Sequence, residues 1–160
     1  MEKTRDKIKD LSSAKDQVAK WKSQHCKIVF TNGCFDLLHL GHVDYLEKAR
    51  SLGDKLVVGL NSDDSVSRFK GPERPIQDQN SRSRVLAALQ FVDLVVFFNE
   101  DTPLNLITEI NPDVLVKGSD YLAENIVGAD VVTNGGGVVK TIDFVSGYST
   151  SRIVEKIKKT

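Results

Sequence analysis

The sequence has little cysteine, no net charge and no long hydrophobic run. Its only cysteines, Cys26 and Cys34, form neither a CxxC pair nor a zinc-binding spacing, and isolated thiols favour a reducing compartment. The 22 basic and 22 acidic residues cancel, whereas nucleic-acid binders usually carry a basic excess. No apolar run reaches transmembrane length, and the polar start MEKTRDKIKD lacks the apolar core of a secretory signal. These absences predict a soluble cytoplasmic protein that binds neither nucleic acid nor membrane.

The length of 160 residues suits one domain, and a hydrophobic content of 40% is enough for a core. Residues 1–25 are mostly polar and are predicted to form an N-terminal helical extension, with the domain itself at 26–160. Leu11, Val18 and Trp21 form a sparse helical stripe in the extension. The stripe predicts a solvated helix docked on the domain, with a partner-binding helix as the alternative.

Apolar runs and helical periodicities alternate along the rest of the chain. Strands are predicted at 27–31, 55–60, 94–98, 114–117 and 138–144, and helices at 40–52, 81–91, 126–133 and 149–159, with another starting at Thr102–Pro103. The polar stretch 61–80 is predicted to be a loop. The alternation predicts an α/β fold, a Rossmann-like, doubly wound parallel sheet with helices on both faces. Ligands bind such sheets at the carboxyl ends of strands near a switch in strand order, so the loops after Thr31, Leu60, Lys117 and Phe144 are expected near the site.

Two histidines flank a glycine at the first strand–helix junction, where residues 31–42 read TNGCFDLLHLGH. The segment matches neither the GxGxxG nor the GxxxxGK[ST] pattern. His39 and His42 are three residues apart at a helix start, so both imidazoles share one face. They lie beside free backbone N–H groups and the positive end of the helix dipole, and Gly41 lets a ligand approach closely. This geometry suits a phosphate group.

Phosphoryl-type transfer needs little more than positioning and charge stabilisation. Two hydrogen-bond donors aimed at the phosphate oxygens would stabilise the transition state, and the acceptor's own phosphate can attack in line without a protein nucleophile. Two competing interpretations are weak. In the first, His39 and His42 would be half of a zinc site, but the only other Cys or His residues are His25, Cys26 and Cys34. In the second, Cys34 would be a nucleophile, but no recognisable base accompanies it.

The segment Gly33 to His42, G-x-F-D-x-x-H-x-G-H, resembles the signature of the HxGH nucleotidyltransferases. The element Ser149-Thr150-Ser151-Arg152, which opens the last predicted helix, is similar to their C-terminal phosphate motif. The resemblance covers roughly residues 26–160. It implies transfer of a nucleoside monophosphate from a triphosphate to a phosphorylated acceptor, with release of pyrophosphate.

Longer stretches resemble the adenylyltransferases that make ADP-heptose for the lipopolysaccharide core. These stretches are Asn32–Asp36, Asn61–Asp63, Lys70-Gly71 with Arg74-Pro75, Arg82, Leu115–Tyr121 and Asn134–Gly136. In many bacteria this activity is the C-terminal half of a fusion with a sugar kinase, and the chain resembles the stand-alone form. Glycerol-phosphate and choline-phosphate cytidylyltransferases carry an R-T-x-G-I-S-T-T element, whereas residues 145–150 read VSGYST without that arginine.

The resemblance implies a role for each candidate residue. His39 and His42 would be catalytic. The nucleotide would be bound by Thr31, Asn32, Gly33, Cys34, Phe35, Gly41, Lys117, Gly118, Asp120, Ser149, Thr150 and Ser151. The acceptor would be bound by Asp36, Asp63, Lys70, Arg74 and Arg82. The substrates would be ATP and D-glycero-D-manno-heptose 1-phosphate, a sugar 1-phosphate. Mg²⁺ is expected to accompany the triphosphate with no dedicated protein ligand, and a homodimer stays open.

Three other functions remain alternatives. The first is a cytidylyltransferase that uses CTP and glycerol 3-phosphate or a related alcohol phosphate. The second is a regulatory module that binds a nucleotide without catalysis, which would not need both histidines. The third is a fragment of a class I aminoacyl-tRNA synthetase, whose KMSKS-type loop and RNA-binding domain are not visible in the sequence.

Overall fold

The computed structural model describes all 160 residues, and its centre is a sheet of six parallel strands. The strands are β1 (Ile8–Lys9), β2 (Ile28–Gly33), β3 (Lys55–Asn61), β4 (Leu94–Phe98), β5 (Val114–Gly118) and β6 (Val138–Ile142). They lie in the order β1-β4-β3-β2-β5-β6, and every pairing is parallel. The predicted Rossmann-like α/β fold is confirmed.

Six α-helices lie between these strands in the chain, and a seventh follows the last strand. They are α1 (Leu11–Ser23), α2 (Leu40–Arg50), α3 (Asp63–Lys70), α4 (Gln79–Ala88), α5 (Leu104–Ile110), α6 (Ala129–Asn134) and α7 (Thr150–Lys158). Short 3₁₀ turns lie at Thr4–Lys7 and Ala123–Asn125. Five α-helices begin with a side chain that accepts a hydrogen bond from a free backbone N–H, a strong start signal. None of the helices is both long and apolar enough to cross a lipid bilayer.

The central strands are buried on both faces. Because consecutive side chains of a strand point to opposite sides, each strand contributes to two core layers. On β2, Ile28 and Phe30 enter one core layer and Val29 enters the other, all without solvent exposure. The first layer includes residues of α1, α5 and α6, and the second includes residues of α2 and α4. Helices therefore cover both faces of the sheet, as a doubly wound fold requires.

The N-terminal residues match the predicted helical extension in one respect and differ from it in another. The predicted docked helix is confirmed: in α1, Ala14 and Val18 are buried in the first core layer, and Leu11 and Trp21 pack against it. Ile8 and Lys9, however, pair with Val95 and Val96 and so add an edge strand to the sheet. Residues 1–25 thus supply part of the sheet and the core, and a two-residue strand is too short to show a period in the sequence.

Several predicted boundaries were wrong. The stretch 61–80 is not all loop, because α3 forms there behind a Ser62 cap and buries only Ser65 and Val66, too few to mark a polar segment as helical. Pro103 precedes the helix that it was predicted to open. The helix predicted from residue 126 starts only at Ala129, and β6 ends at Ile142.

The switch in strand order lies between β2 and β5. From β2 the chain builds β3 and β4 on one side, then returns to build β5 and β6 on the other. The loops that leave neighbouring parallel strands here diverge, so a crevice opens between them. The predicted ligand-binding edge of the sheet is therefore present at this point.

Candidate active site

A cavity of about 430 Å³ opens at the switch between β2 and β5. Many predicted site residues line it: Asn32, Gly33, Cys34, Phe35, Asp36, His42, Lys70, Arg74, Lys117, Gly118, Asp120 and Thr150. The predicted residues outside its lining are Thr31, His39, Gly41, Asp63, Arg82, Ser149 and Ser151. The fold thus gathers segments that are far apart in sequence around one cavity.

The two motif histidines stack on each other at the start of α2. Their ring centroids are 3.9 Å apart, with an angle of 24° between the planes. His39 is the N-cap of α2, and its Nδ1 accepts a hydrogen bond from the Gly41 backbone N–H at 3.1 Å. Because a neutral imidazole that accepts at one nitrogen carries its proton on the other, His39 has a donor at Nε2. The predicted shared face of the two rings is confirmed.

Gly41 makes room for the His39 ring. A Cβ atom at position 41 would lie 3.0 Å from both Cε1 and Nδ1 of His39, closer than ordinary van der Waals contact. A side chain here would push the ring away from the backbone N–H that it caps. The glycine was predicted to let a ligand approach closely. In the structure, the space left by its missing side chain is taken by the His39 ring that caps α2.

Both histidines are half-buried and neutral near pH 7. Burial is the main reason that the pKa of His42 falls from 6.5 to about 4, and the neighbouring His39 and the charge of Lys70 lower it further. Burial also lowers the pKa of His39. His42 packs edge-on against Phe35, with ring centroids 5.3 Å apart. The pair therefore offers N–H donors without a full positive charge.

The low pKa of His42 predicts a loss of stability in acid. The unfolded chain takes up a proton near pH 6.5, whereas the folded protein resists it until about pH 4, so the unfolded state binds more protons between these values. The free energy of unfolding should fall as the pH drops through this window. Relative to His42→Gln, wild type should lose on the order of 2 kcal/mol more between pH 7 and pH 4, allowing for the partial exposure of the ring. Denaturant unfolding at several pH values measures the difference, and parallel curves for the two proteins would contradict it.

The loop after β2 is fixed from beneath by Arg82, whose side chain has no solvent exposure. Its Nη1 donates to the backbone oxygens of Cys34 at 2.8 Å and Asn61 at 2.9 Å, and its Nε donates to that of Gln77 at 3.0 Å. Its Nη2 donates to Asp63 at 2.7 Å. Arg82 was predicted to bind the acceptor, but its buried guanidinium instead joins three segments of the chain. Asp63, whose side chain is 37% exposed, was also predicted to bind the acceptor, and this role stays a prediction.

The Asp36 carboxylate also forms its hydrogen bonds within the protein. It is 2% exposed and accepts hydrogen bonds from the backbone N–H groups of Ile76 and Gln77 at 2.8–3.0 Å and from Arg74 Nε at 2.8 Å. Burial raises its pKa, but these donors outweigh that effect and the pKa is lowered. The predicted direct contact between Asp36 and an acceptor does not fit a carboxylate whose two oxygens are already used.

Thr31 lies inside the protein. The Tyr45 hydroxyl is 2.8 Å from Thr31 Oγ1, which in turn donates to the Val116 backbone oxygen at 3.0 Å. The side chain is fully buried and ties β2 to β5 and α2. Its predicted contact with the nucleotide is therefore not supported by its position.

The β5 end of the cavity contains Lys117, Gly118 and Asp120. Burial lowers the pKa of Lys117, and the negative charge of Asp120 partly opposes this shift. The Lys117 ammonium lies 5.4 Å from the centre of the Tyr121 ring. Gly118 lies under the Phe144 ring, since a Cβ at position 118 would be 2.2 Å from Phe144 Cε2. A flat, half-apolar surface with one cation is suited to a base and its ribose.

Of the three hydroxyl residues near α7, only Thr150 lines the cavity. Ser149 caps the helix by accepting from the Arg152 backbone N–H at 3.2 Å. Ser151 lies in a neighbouring groove between α7 and the loop after α3.

Sequence reasoning missed the aromatic and apolar part of the lining. The missed residues include Tyr45, Phe69, Phe98, Pro103, Tyr121, Ile126, Val127 and Phe144. Phe144 ends the predicted strand 138–144, and Tyr121 lies in the loop after the predicted strand 114–117. This position was the one available signal.

Cys34 lines the cavity but is poorly suited to be a nucleophile. It is 9% exposed, and burial raises the pKa of its thiol despite the nearby cations Lys70, Arg82 and Arg74. The thiolate form, which is the nucleophile, is therefore scarce at pH 7. Cys34→Ser is expected to keep most of the activity, and no covalent enzyme–nucleotide species should form during turnover. Intact-mass measurement of the enzyme during the reaction checks this, and a nucleotidylated protein would contradict it.

The cytidylyltransferase-like family matches residues 30–156, which include the whole cavity lining. This chain belongs to the cytidylyltransferase-like family. The match and the relatives below together indicate a nucleotidyltransferase.

Proteins from several bacterial species are similar in sequence to nearly the whole of this chain. The bifunctional protein HldE of Magnetococcus marinus is 57% identical over 152 residues, and that of Geobacter sulfurreducens is 55% identical over 153 residues. These alignments cover 95% and 96% of this chain but 31% of each relative. The chain therefore spans about a third of the length of the curated relatives it matches.

Two solved structures resemble the chain. The lipopolysaccharide core biosynthesis protein of Thermoplasma volcanium is 32% identical, with a TM-score of 0.60 over 78% of this chain and 99% of that one. The pantoate-beta-alanine ligase of Francisella tularensis has a TM-score of 0.64 over 96% of this chain and 78% of that one, at 15% identity. The second likeness, below 25% identity, shows a shared Rossmann-like α/β fold alone.

Proposed function

We propose that this chain transfers AMP from ATP to D-glycero-D-manno-heptose 1-phosphate and releases ADP-heptose and pyrophosphate. The observation that carries the proposal is the stacked, neutral pair His39 and His42 beside a cavity at the start of α2. The similarity to HldE proteins and to a lipopolysaccharide core biosynthesis protein supports this choice of substrates. The product would serve the synthesis of the lipopolysaccharide core.

In the proposed reaction an oxygen of the sugar phosphate attacks the α-phosphorus of ATP. The new P–O bond forms as the bond from the α-phosphorus to the bridging oxygen breaks, and the electron pair leaves with pyrophosphate. His39 Nε2–H and an N–H of His42 would donate to the phosphate oxygens, where negative charge increases in the transition state. The protein's task is to position the two substrates and stabilise this charge.

Two ends of the cavity would bind different parts of the nucleotide. Backbone N–H groups of residues 32–35 and the hydroxyl of Thr150 would hold its phosphates, and Lys117, Gly118 and Asp120 would hold the base and ribose. Mg²⁺ would enter with ATP, since hard cations prefer phosphate and water oxygens.

We further propose that the protein works in the cytoplasm, where its two free cysteines, Cys26 and Cys34, stay reduced. Its partners in the proposed reaction are ATP and the sugar 1-phosphate. Association of two copies stays a prediction.

A substrate panel tests the proposed function. A site that bonds to sugar hydroxyls discriminates strongly, because a wrong acceptor leaves buried polar groups unpaired. With ATP, we expect heptose 1-phosphate to exceed glycerol 3-phosphate by at least about 10²-fold in kcat/KM. Pyrophosphate release is measured with ATP, CTP, GTP and UTP against both acceptors. Faster turnover of CTP with glycerol 3-phosphate would refute the heptose assignment, and no release from any pair would favour a non-catalytic nucleotide-binding module.

A further inference from the structure

Arg74 lies on the wall of the cavity and is held in place from several sides. Its Nε donates to Asp36 at 2.8 Å, and its backbone oxygen accepts from the Ser67 hydroxyl at 2.6 Å. Its backbone N–H donates to Gly71 at 3.1 Å. The arginine side chain is 20% exposed and the Asp36 side chain 1% exposed. The two backbone bonds hold the loop that carries Arg74, and the Asp36 contact orients its guanidinium.

The guanidinium of Arg74 is incompletely paired. Its Nη2 is buried and has no hydrogen-bond partner in the protein, although an unpaired charged donor away from water is costly. Asp36 engages only the Nε, so the terminal nitrogens keep free donors. The part of the Arg74 side chain that stays exposed, 20% of it, lines the cavity, where an anion can accept hydrogen bonds from the guanidinium.

The charges around this part of the cavity favour an anion. Lys70 lines the cavity next to Arg74. The Asp36 carboxylate is fully occupied by three N–H groups of the protein, and the Asp101 carboxylate pairs with Arg68 at 3.2 Å. Two cations thus face a cavity whose nearby carboxylates on this side are already paired.

We propose that Arg74 binds the phosphate group of the acceptor and that Asp36 is a positioning residue that aims the arginine. The inference rests on the proposed function, because it names the residue that recognises the second substrate. An arginine fork matches phosphate geometry through paired N–H bonds. Asp36 holds the fork and, through Ile76 and Gln77, the loop that carries it.

Steady-state kinetics of Arg74 and Asp36 variants test the proposal. Arg74→Gln should raise the KM for heptose 1-phosphate about 10-fold or more, with the KM for ATP changed less than about 2-fold, because a charge-assisted bond to one substrate is lost. Arg74→Lys should lie between Gln and wild type, since it keeps the charge without the fork. The matched control is Arg84→Gln, which removes an exposed arginine whose side chain contacts Thr4.

The variant Asp36→Asn distinguishes the role of Asp36 in orienting the Arg74 guanidinium from its role in supporting the loop at residues 76–77. An asparagine oxygen can still accept from the 76–77 backbone, but its amide would place a donor against the Arg74 Nε. The variant should raise the KM for the acceptor, and the double variant with Arg74→Gln should be no worse than Arg74→Gln alone, since both act through one contact. If Asp36→Asn does not fold, the Arg74 variants still decide the outcome. A rise in the KM for ATP instead, or Arg74→Gln behaving like Arg84→Gln, would overturn the inference.

Calorimetry keeps the inference distinct from the proposed function. If wild type turns over no substrate pair, heptose 1-phosphate and the free heptose are titrated into wild type, Arg74→Gln and Arg84→Gln. Phosphate-dependent binding that only Arg74→Gln loses would support the anion site even though the proposed reaction fails. Equal binding to all three proteins, or none to wild type, would overturn it.

Discussion

Alanine at His39 or His42 is expected to lower kcat by about 10²–10³-fold, the usual loss for one preorganised donor. The KM for the triphosphate should change far less, because the two donors act mainly on charge that develops in the transition state. The stacked rings and the fixed Nε2 donor of His39 are the structural basis for this expectation.

Single-turnover and steady-state measurements with ATP and heptose 1-phosphate would measure both effects. His25→Asn is the matched control, because His25 lies outside the cavity and has a left-handed φ of 62° that asparagine tolerates. It should keep the wild-type rate. A His39 or His42 variant that keeps more than half of the wild-type kcat would remove that residue from the proposed mechanism.

Arg82→Ala is expected to lower the free energy of unfolding by about 3–5 kcal/mol, the usual cost of breaking a buried charged contact. The substitution removes the donor shared by Cys34, Asn61 and Gln77 and leaves their carbonyl groups without it. Such a loss is a large part of the total stability of a small domain.

Denaturant unfolding with a constant m-value measures the effect of Arg82→Ala. Asp63→Asn is the matched control, since it keeps an oxygen acceptor for Arg82 at a side chain that is 37% exposed. Its loss should stay below about 1 kcal/mol. Equal losses for the two variants would show that the carbonyl contacts of Arg82 contribute little.

Local sequence patterns predicted the parts of the fold that depend on local rules. The apolar run at 55–60 marked β3 because a strand buried on both faces must be apolar throughout. The pairing of His39 and His42 was also predictable from a local rule, because side chains three residues apart at a helix start lie on the same face of the helix. Two-residue β1 is too short to show a period, and α3 has too few apolar residues to mark a helix, so both were missed.

The wrong roles have a different origin. Asp36 and Arg82 carry charges in a motif-rich region, and sequence alone cannot distinguish a charge that faces a ligand from one that holds a loop. Apart from the contact between Arg82 and Gln77, their partners lie 19 to 48 residues away in the chain. Only the packing of α4 beneath the loop after β2 shows that both charges are already satisfied.

The capping role of His39 restricts how this position can change in evolution. Asn, Asp or Ser could replace the cap that Nδ1 provides for α2, but none of them carries a second donor where the imidazole presents Nε2–H. A residue that restored the donor without accepting from the Gly41 backbone N–H would leave the helix start open to fraying. A lineage that lost the reaction could therefore drift at position 39 only toward other caps, and such drift would mark the loss of catalysis while the fold persists.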